Sequence, residues 1–297
     1  MSVATLTTNT VPLEDLTGLD APSLITEAKY ILELIEPNWK AGKKYKYTTD
    51  ANLPISVPTF SNSRLNDDTW YARVYDFTEF GDPLKERYHQ ALLQYIIGSL
   101  TDFKRSHTEY EKHYVKELYD YELTPFQLAG ADPQSFTYLA QCYYKFPFPL
   151  KKRVFYELVH IYKPSDNEAY VISLAVHPKN FERPGMDSDF TQGRYTSIEK
   201  VTYEPESKEL KWTMATCSQP GGKVPHWFTH ANLGSAISKD VPHFINWVDT
   251  LKTNEALQIR SSERHEPVAT TTSSPIASPA TQTQPVAGSA PVPAGSV

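Results

Sequence analysis

The chain reads as an α+β protein: a curved antiparallel sheet, helices segregated to one side of it, and a long C-terminal helix that closes the sheet. Three observations carry this reading. Two apolar-rich runs, residues 154–162 and 169–176, flank residues 163–168, whose Pro, Ser, Asp and Asn are turn formers, so the pair forms an antiparallel hairpin. Near the C-terminal end Ile237, Val241, Phe244 or Ile245, Val248 and Leu251 recur at helical spacing. The segments between follow the order helix, strands, helices, strands, helix, which is the order of an α+β fold and not of alternating βα units.

Taken along the chain, residues 1–20 are polar and Thr-rich and are expected to be loose. Ser23 is placed to cap a helix running through Glu36, with Leu24, Ala28, Ile31, Leu32 and Ile35 on one face and Pro37 ending it. Residues 43–49 and 69–77 read as strands; in the second, Trp70, Ala72 and Val74 alternate with Tyr71, Arg73, Tyr75 and Phe77. Asp82-Pro83 supplies a helix cap followed by proline in the first turn, and Leu84, Tyr88, Ala91 or Leu92 and Tyr95 continue the spacing. A more polar helical stretch lies around 108–118, followed by strands near 119–124 and 135–144.

In the first hairpin strand Val154, Tyr156, Leu158, His160 and Tyr162 share one face and Phe155, Glu157, Val159 and Ile161 the other. Neither face is plainly polar, so both are expected to be covered, by other elements or by a ligand. Two strands follow at 194–203 and 209–216. The last helix is expected from near Pro225-His226-Trp227 to Leu251, with Pro242 either kinking it or opening a second helix capped by Asp240. Beyond about Glu263 the chain is Thr, Ser, Pro, Ala and Gly, too poor in large apolar groups to offset chain entropy. The expected organisation is a flexible segment 1–20, one folded domain 21–255 and a disordered tail 256–297.

Composition excludes several kinds of function. A formal charge of −6 over 297 residues lacks the concentrated positive surface of a nucleic-acid binder. The 19 Tyr, 13 Phe and 5 Trp against 12 Gly favour large buried side chains over a glycine-built phosphate loop. Cys142 and Cys217 are too few for a disulfide framework or a cysteine zinc site, which points to a reducing compartment. His107 and His113 are six apart, off the helical metal-pair spacing, and no His-Glu-x-x-His occurs, so no metal or cofactor is expected. The N-terminus lacks the features of a signal peptide, and no stretch approaches the roughly 20 apolar residues of a membrane span. A soluble, cytoplasmic protein is expected.

Two separated motifs carry a family resemblance. Phe146-Pro147-Phe148-Pro149, with Arg153 four residues on and Tyr156 in the following strand, resembles the Tyr-Pro-Phe-Pro-like lead-in of the START lipid-binding domains. Gly221-Gly222-Lys223-Val224-Pro225-His226-Trp227 resembles the Gly-Gly-x-Ile/Val-Pro-x-Trp sequence that opens their C-terminal helix. Trp39-Lys40-Ala41-Gly42-Lys43 and Trp70-Tyr71-Ala72-Arg73 resemble an uncharacterised fungal START-like subfamily. The resemblance implies a helix-grip fold around one hydrophobic tunnel that holds a lipid. Tyr114-Val115-Lys116-Glu117-Leu118-Tyr119 also resembles the phosphatidylcholine-transfer branch. Where that branch has an Arg and an Asp six and two residues before the equivalent of Tyr114, this chain has Thr108 and Lys112, which removes that branch's route to the phosphate.

A lipid tunnel needs on the order of ten kcal/mol of apolar contact for one long acyl chain, at about 0.8 kcal/mol per buried CH₂. Candidate wall residues are Leu174, Tyr195, Trp212, Met214 and, on the last helix, Ile237, Val241 and Phe244. Arg73 and Glu199 share strand parity with aromatic neighbours and are candidates to orient a polar head; the competing reading is an internal ion pair or solvent-facing charge. Arg153 and Arg194, at strand starts, are expected to be structural or surface groups. The expected function is a non-catalytic, monomeric carrier of a sterol or phospholipid that touches membrane surfaces transiently and binds no nucleic acid. Two other classes stand beside it: a cyclase- or hydrolase-like enzyme with a convergent acid–base pair in the cavity, and a filled-core interaction module resembling chaperone activators.

Overall fold

The computed structural model describes residues 6–146, 152–181, 190–222 and 226–251, with side chains of 226–232 left aside. The chain divides into units Met1–Leu257 and Gln258–Val297, and every described residue belongs to the first. Residues 1–5, the lead-in residues 147–149, residues 223–225 of the second motif and the tail from 256 lie outside the described residues.

Helices α1 (Leu13–Leu16), α2 (Ala21–Glu33) and α3 (Ile35–Asn38) lead into strands β1 (Lys40–Thr48), β2 (Pro54–Leu65) and β3 (Asp68–Asp76). Helix α4 (Asp82–Ala91) runs on into a π-helical turn at Leu92–Ile97, and α5 (His107–Tyr114) follows. Then come β4 (Leu118–Pro125), β5 (Ser135–Tyr144), β6 (Lys152–Ser165), β7 (Glu168–Ala175), the short β8 (Phe190–Gln192), β9 (Arg194–Glu204), β10 (Glu209–Gln219) and α6 (His226–Thr250). The strands form one curved sheet in the order β1-β2-β3-β10-β9-β7-β6-β5-β4, antiparallel throughout, with β8 alone running parallel to β6.

The hairpin centred on Lys163–Glu168 forms as read: β6 and β7 pair from Glu157 opposite Ala175 to Ser165 opposite Glu168. Strand β2 had no counterpart in the sequence reading. Its prolines at 54 and 58 argue against a strand interior, yet it pairs with both β1 and β3, with a bulge in β1 between Ala41 and Lys44 beside Pro58.

The cap of α2 is Asp20 and not Ser23: the Asp20 carboxylate accepts the Ser23 backbone N–H at 2.8 Å. The helix stops at Glu33 because Pro37 has no N–H to offer the Glu33 carbonyl, and its ring crowds that oxygen. Pro242 faces the same conflict with the Ser238 carbonyl, but here one helix runs through it and no second helix opens at Asp240.

Apolar side chains pack on both faces of the sheet. On the concave face Trp212, Tyr75, Val201 and Val159 meet α4, α5 and the α6 residues Val241, Phe244, Ile245 and Val248. On the other face Trp39, Trp70, Leu158, Ile172 and Leu174 meet Leu24, Ala28 and Ile31 of α2. Helices therefore cover both faces, and are not segregated to one. The reason lies in β6 and β7, whose two faces are equally apolar and must both leave water.

Residues 6–20, expected to be loose, are packed. Leu6 and Leu16 are buried in the second cluster, Val11 donates its N–H to the Ala175 carbonyl at 3.0 Å, and Thr8 donates both N–H and hydroxyl to the Asp68 carboxylate. Two buried leucines and a long-range carboxylate contact suffice to tie down a polar segment.

Candidate functional site

Between the concave face, α5 and α6 lies a partly open cavity of about 370 Å³. Strand alternation builds its wall: Phe155 and Glu157 on β6, Tyr195 and Glu199 on β9, and Trp212 and Met214 on β10 point the same way. Tyr144 of β5, Tyr114 and Glu111 of α5, and Ile237 and Asp240 of α6 complete it. Helical spacing sets Asp240 one turn beyond Ile237, on the face that α6 turns to the sheet. Gly193 fixes the Phe155 ring, since a Cβ there would stand 2.3 Å from Phe155 Cε1.

The second sequence motif shapes one end. Gly221 has φ +67°, and a Cβ on it would lie 2.0 Å from the Gln192 carbonyl oxygen, so only glycine allows this approach. Arg153 donates Nε–H to the Pro220 carbonyl at 3.2 Å and holds the turn from the other side. It is buried and lines the cavity, so of the structural or surface role expected for it the surface half is overturned and the bond to Pro220 fits the structural half.

A buried charge cluster crosses the floor. Arg73 is fully buried, with Nη2 3.6 Å from Glu199 Oε2, and its guanidinium lies 3.8 Å from the Trp212 ring centroid. The Trp212 indole N–H donates to Glu199 Oε2 at 2.7 Å. Burial pulls the Arg73 guanidinium down from its ordinary value, while Glu199 and Asp240 oppose that shift.

The other carboxyls are pushed the opposite way. Burial lifts Asp240 to about 7 against the pull of Arg73, and lifts Glu157 to about 8 against a hydrogen bond from Ser173. Glu111 is also driven well up, by burial first and then by the charges of Glu157, Glu199 and Asp240. His107 Nε2 lies 3.9 Å from Glu111 Oε2, but burial lowers the imidazole, so the pair carries no charge attraction near neutrality. The phenols of Tyr114, Tyr144 and Tyr195 are raised by burial and stay neutral donors.

The structure places the sequence candidates unevenly. Arg73, Tyr195, Glu199, Trp212, Met214 and Ile237 line the cavity. Arg73 and Glu199 form the internal ion pair that was the competing reading, and they do so at the cavity wall. Val241 and Phe244 are buried behind the lining, where the Phe244 ring packs 5.5 Å from Tyr114 and 5.2 Å from Trp212. Leu174 belongs to the opposite face, against α2, because it shares parity with Ile172 and not with Ser173. Thr108 bonds the Tyr138 hydroxyl and Lys112 lies over the Tyr121 ring, and neither lines the cavity.

Sequence reading missed Glu111, Tyr144, Phe155, Glu157 and Asp240. Two signals were present: an acid inside the otherwise apolar run 154–159, and an acid one turn from Ile237 in the helical stripe. Cys142 and Cys217 are buried, and burial raises both thiols, as suits inert packing groups. Among the described residues no three His, Cys, Asp or Glu side chains are grouped to hold a metal ion.

The comparisons with known proteins follow this geometry. A family model described as "Protein of unknown function (DUF3074)" matches residues 70–248. Among curated proteins no sequence matches the chain. Human STARD10 has a similar structure, with TM-score 0.55 and 12% identity over 80% of this chain and 84% of that one. Human StAR-related lipid transfer protein 5 is similar with TM-score 0.53 and 10% identity, over 77% of this chain and 96% of the other. The likeness is one of fold: a START-like helix grip, with the antiparallel sheet wrapped on the C-terminal helix.

Proposed function

The chain belongs to the DUF3074 family, and from that premise we propose that it binds one hydrophobic ligand in the cavity and carries it between membranes as a cytoplasmic monomer. The observation that carries this reading is the cavity itself, about 370 Å³ of space walled by Trp212, Met214, Phe155, Tyr195 and Ile237. Space of that size beside large apolar groups is costly to leave empty, since the lining loses dispersion contacts and buried-area gain. The volume sits near the lower end of the roughly 300–1,000 Å³ of small-molecule sites, which supports a sterol or a single alkyl chain over a two-chain phospholipid.

Release in this reading requires α6 to shift at a membrane surface and close again over the ligand. Among the described residues no helix is long and apolar enough to cross a membrane, so contact with bilayers in this scheme is transient. A filled-core interaction module finds no support in a lined cavity. An enzymatic role is the second reading, favoured by one observation: Glu157 and Asp240 are lifted to about 8 and about 7 inside the cavity, where such carboxyls can exchange protons near neutrality. The carrier reading invokes no covalent step.

Native mass spectrometry with lipid extraction tests it, on protein expressed in bacteria and in a sterol-containing eukaryotic host. A stoichiometric apolar ligand is the expected result. Protein that emerges bare, and that takes up neither sterol nor phospholipid from liposomes, overturns the carrier and moves the search to substrates turned over by the Glu157 and Asp240 carboxyls.

A further inference from the structure

The polar groups of the cavity do not match its apolar wall in sign. Its lining holds Glu111, Glu117, Glu157, Glu199 and Asp240 against Arg73, Arg153 and Lys239. Arg73 pairs with Glu199 at 3.6 Å, lies over the Trp212 ring and donates Nη1–H to the Trp212 carbonyl, though its Nε and Nη2 have no hydrogen-bond partner among the described residues; Arg153 meets the Pro220 carbonyl, and Lys239 is exposed. Among the described residues Glu157 faces the cavity with no cation beside it, Glu111 has only the His107 imidazole, and Asp240 shares Arg73 with Glu199.

Glu157 adds an independent sign of a missing ligand group. The residue is 5% exposed, and while Ser173 bonds the carboxyl, Oε1 has no hydrogen-bond partner among the described residues. A buried acceptor left unpaired is costly and rare. In the ionised form that oxygen lacks a donor, and Glu111 and Asp240, which line the same cavity, offer further acceptors.

We propose that the polar end of the ligand is a protonated amine on an alkyl or ring body, seated among the carboxyls of Glu111, Glu157 and Asp240 with its apolar part against Trp212, Phe155 and Ile237. This rests on the reading of the cavity as an amphiphile site. An ammonium supplies several N–H donors at one point and draws charge-assisted bonds from carboxylates. The rings of Tyr114 and Tyr144 on the same wall offer quadrupole contact for a cation, Trp212 being already engaged by Arg73. A carboxylate or phosphate head would meet Arg73 only beside these carboxyls, whose ionised forms repel it. An alcohol head satisfies one acceptor and gains no charge.

The test compares decylamine, decanol and decanoate, which share one chain length and differ in the head, by isothermal titration calorimetry on the full chain at about pH 8. Decylamine is expected to bind at least about tenfold tighter than decanol, the difference between charged and neutral hydrogen bonds, with decanoate weakest. In the variant carrying Glu157→Gln and Asp240→Asn, the ratio of decylamine to decanol affinity falls toward one, and thermal melting of that variant verifies that it folds. Equal binding of decylamine and decanol refutes the amine site and leaves the carrier standing. Decanoate binding tightest refutes it in favour of Arg73 as the head-group anchor. Failure of all three to bind overturns the carrier reading, and this one with it.

Discussion

Replacing Glu199 with Gln keeps the shape of the side chain and an acceptor for the Trp212 indole, and removes only the charge opposite Arg73. Arg73 is fully buried and its Nη2 lies 3.6 Å from Glu199 Oε2. At that separation and an effective dielectric near 20, the attraction is about 4.6 kcal/mol. Stranding the guanidinium without its partner is therefore expected to cost about 3–5 kcal/mol, a large share of the roughly 5–15 kcal/mol that holds a domain folded. Urea unfolding followed by far-ultraviolet circular dichroism reads this as a lower midpoint at unchanged slope. The double variant Arg73→Met with Glu199→Gln removes both charges, keeps an acceptor for the Trp212 indole, and should return to within about 1 kcal/mol of the parent or exceed it. A Glu199→Gln cost under about 1 kcal/mol, or a double variant as unstable as the single one, refutes the claim that the ion pair offsets the burial of Arg73.

Other substitutions separate the cavity from the core. Leu174→Ala should lose about 2–5 kcal/mol of stability while uptake of a sterol or alkyl probe is unchanged, because Leu174 packs on the face away from the cavity. Met214→Trp should abolish uptake by filling the cavity, at a stability cost of about 1–3 kcal/mol; probe-binding fluorescence and melting temperature read the two effects apart. The folded state holds the Glu157 proton up to about pH 8, whereas the unfolded chain releases it near 4.5. Stability from this group is thus complete below about pH 4.5 and is lost as pH rises toward 8. His160, lowered to about 4 by burial, acts with opposite sign in the acid range. The clean readout is consequently the melting temperature of Glu157→Gln minus that of the parent, which should grow between about pH 5 and 8; a difference that stays constant across that range contradicts the assignment.

Local spacing was enough to place most elements, because a period of two or of 3.6 reports which residues share a face whatever the partner. Tyr195 with Glu199, Trp212 with Met214, and the stripe from Ile237 to Val248 were all legible in this way. So was the expectation that both faces of the central hairpin are covered. What spacing cannot report is which of two equally apolar faces turns inward. Leu174 was assigned to the cavity and lies against α2, and Arg153, expected to be a structural or surface group, lines the cavity. Strand β2 escaped notice because its prolines obscure alternation, and residues 6–20 because two buried leucines carry little weight in a polar segment.

The chain alone determined an α+β order with a curved sheet closed by the last helix and a wall rich in aromatic groups, since those follow from side-chain type and periodicity within single segments, while the helix grip came from the resemblance of two motifs. Only the tertiary structure decided that carboxyls from α5, β6 and α6, distant in sequence, converge on one water-poor space. Their raised proton affinities arise first from burial, to which the charges of Glu157, Glu199 and Asp240 add at Glu111 and those of Glu199 and Glu117 at Asp240, and these conditions come into being only when the elements pack together.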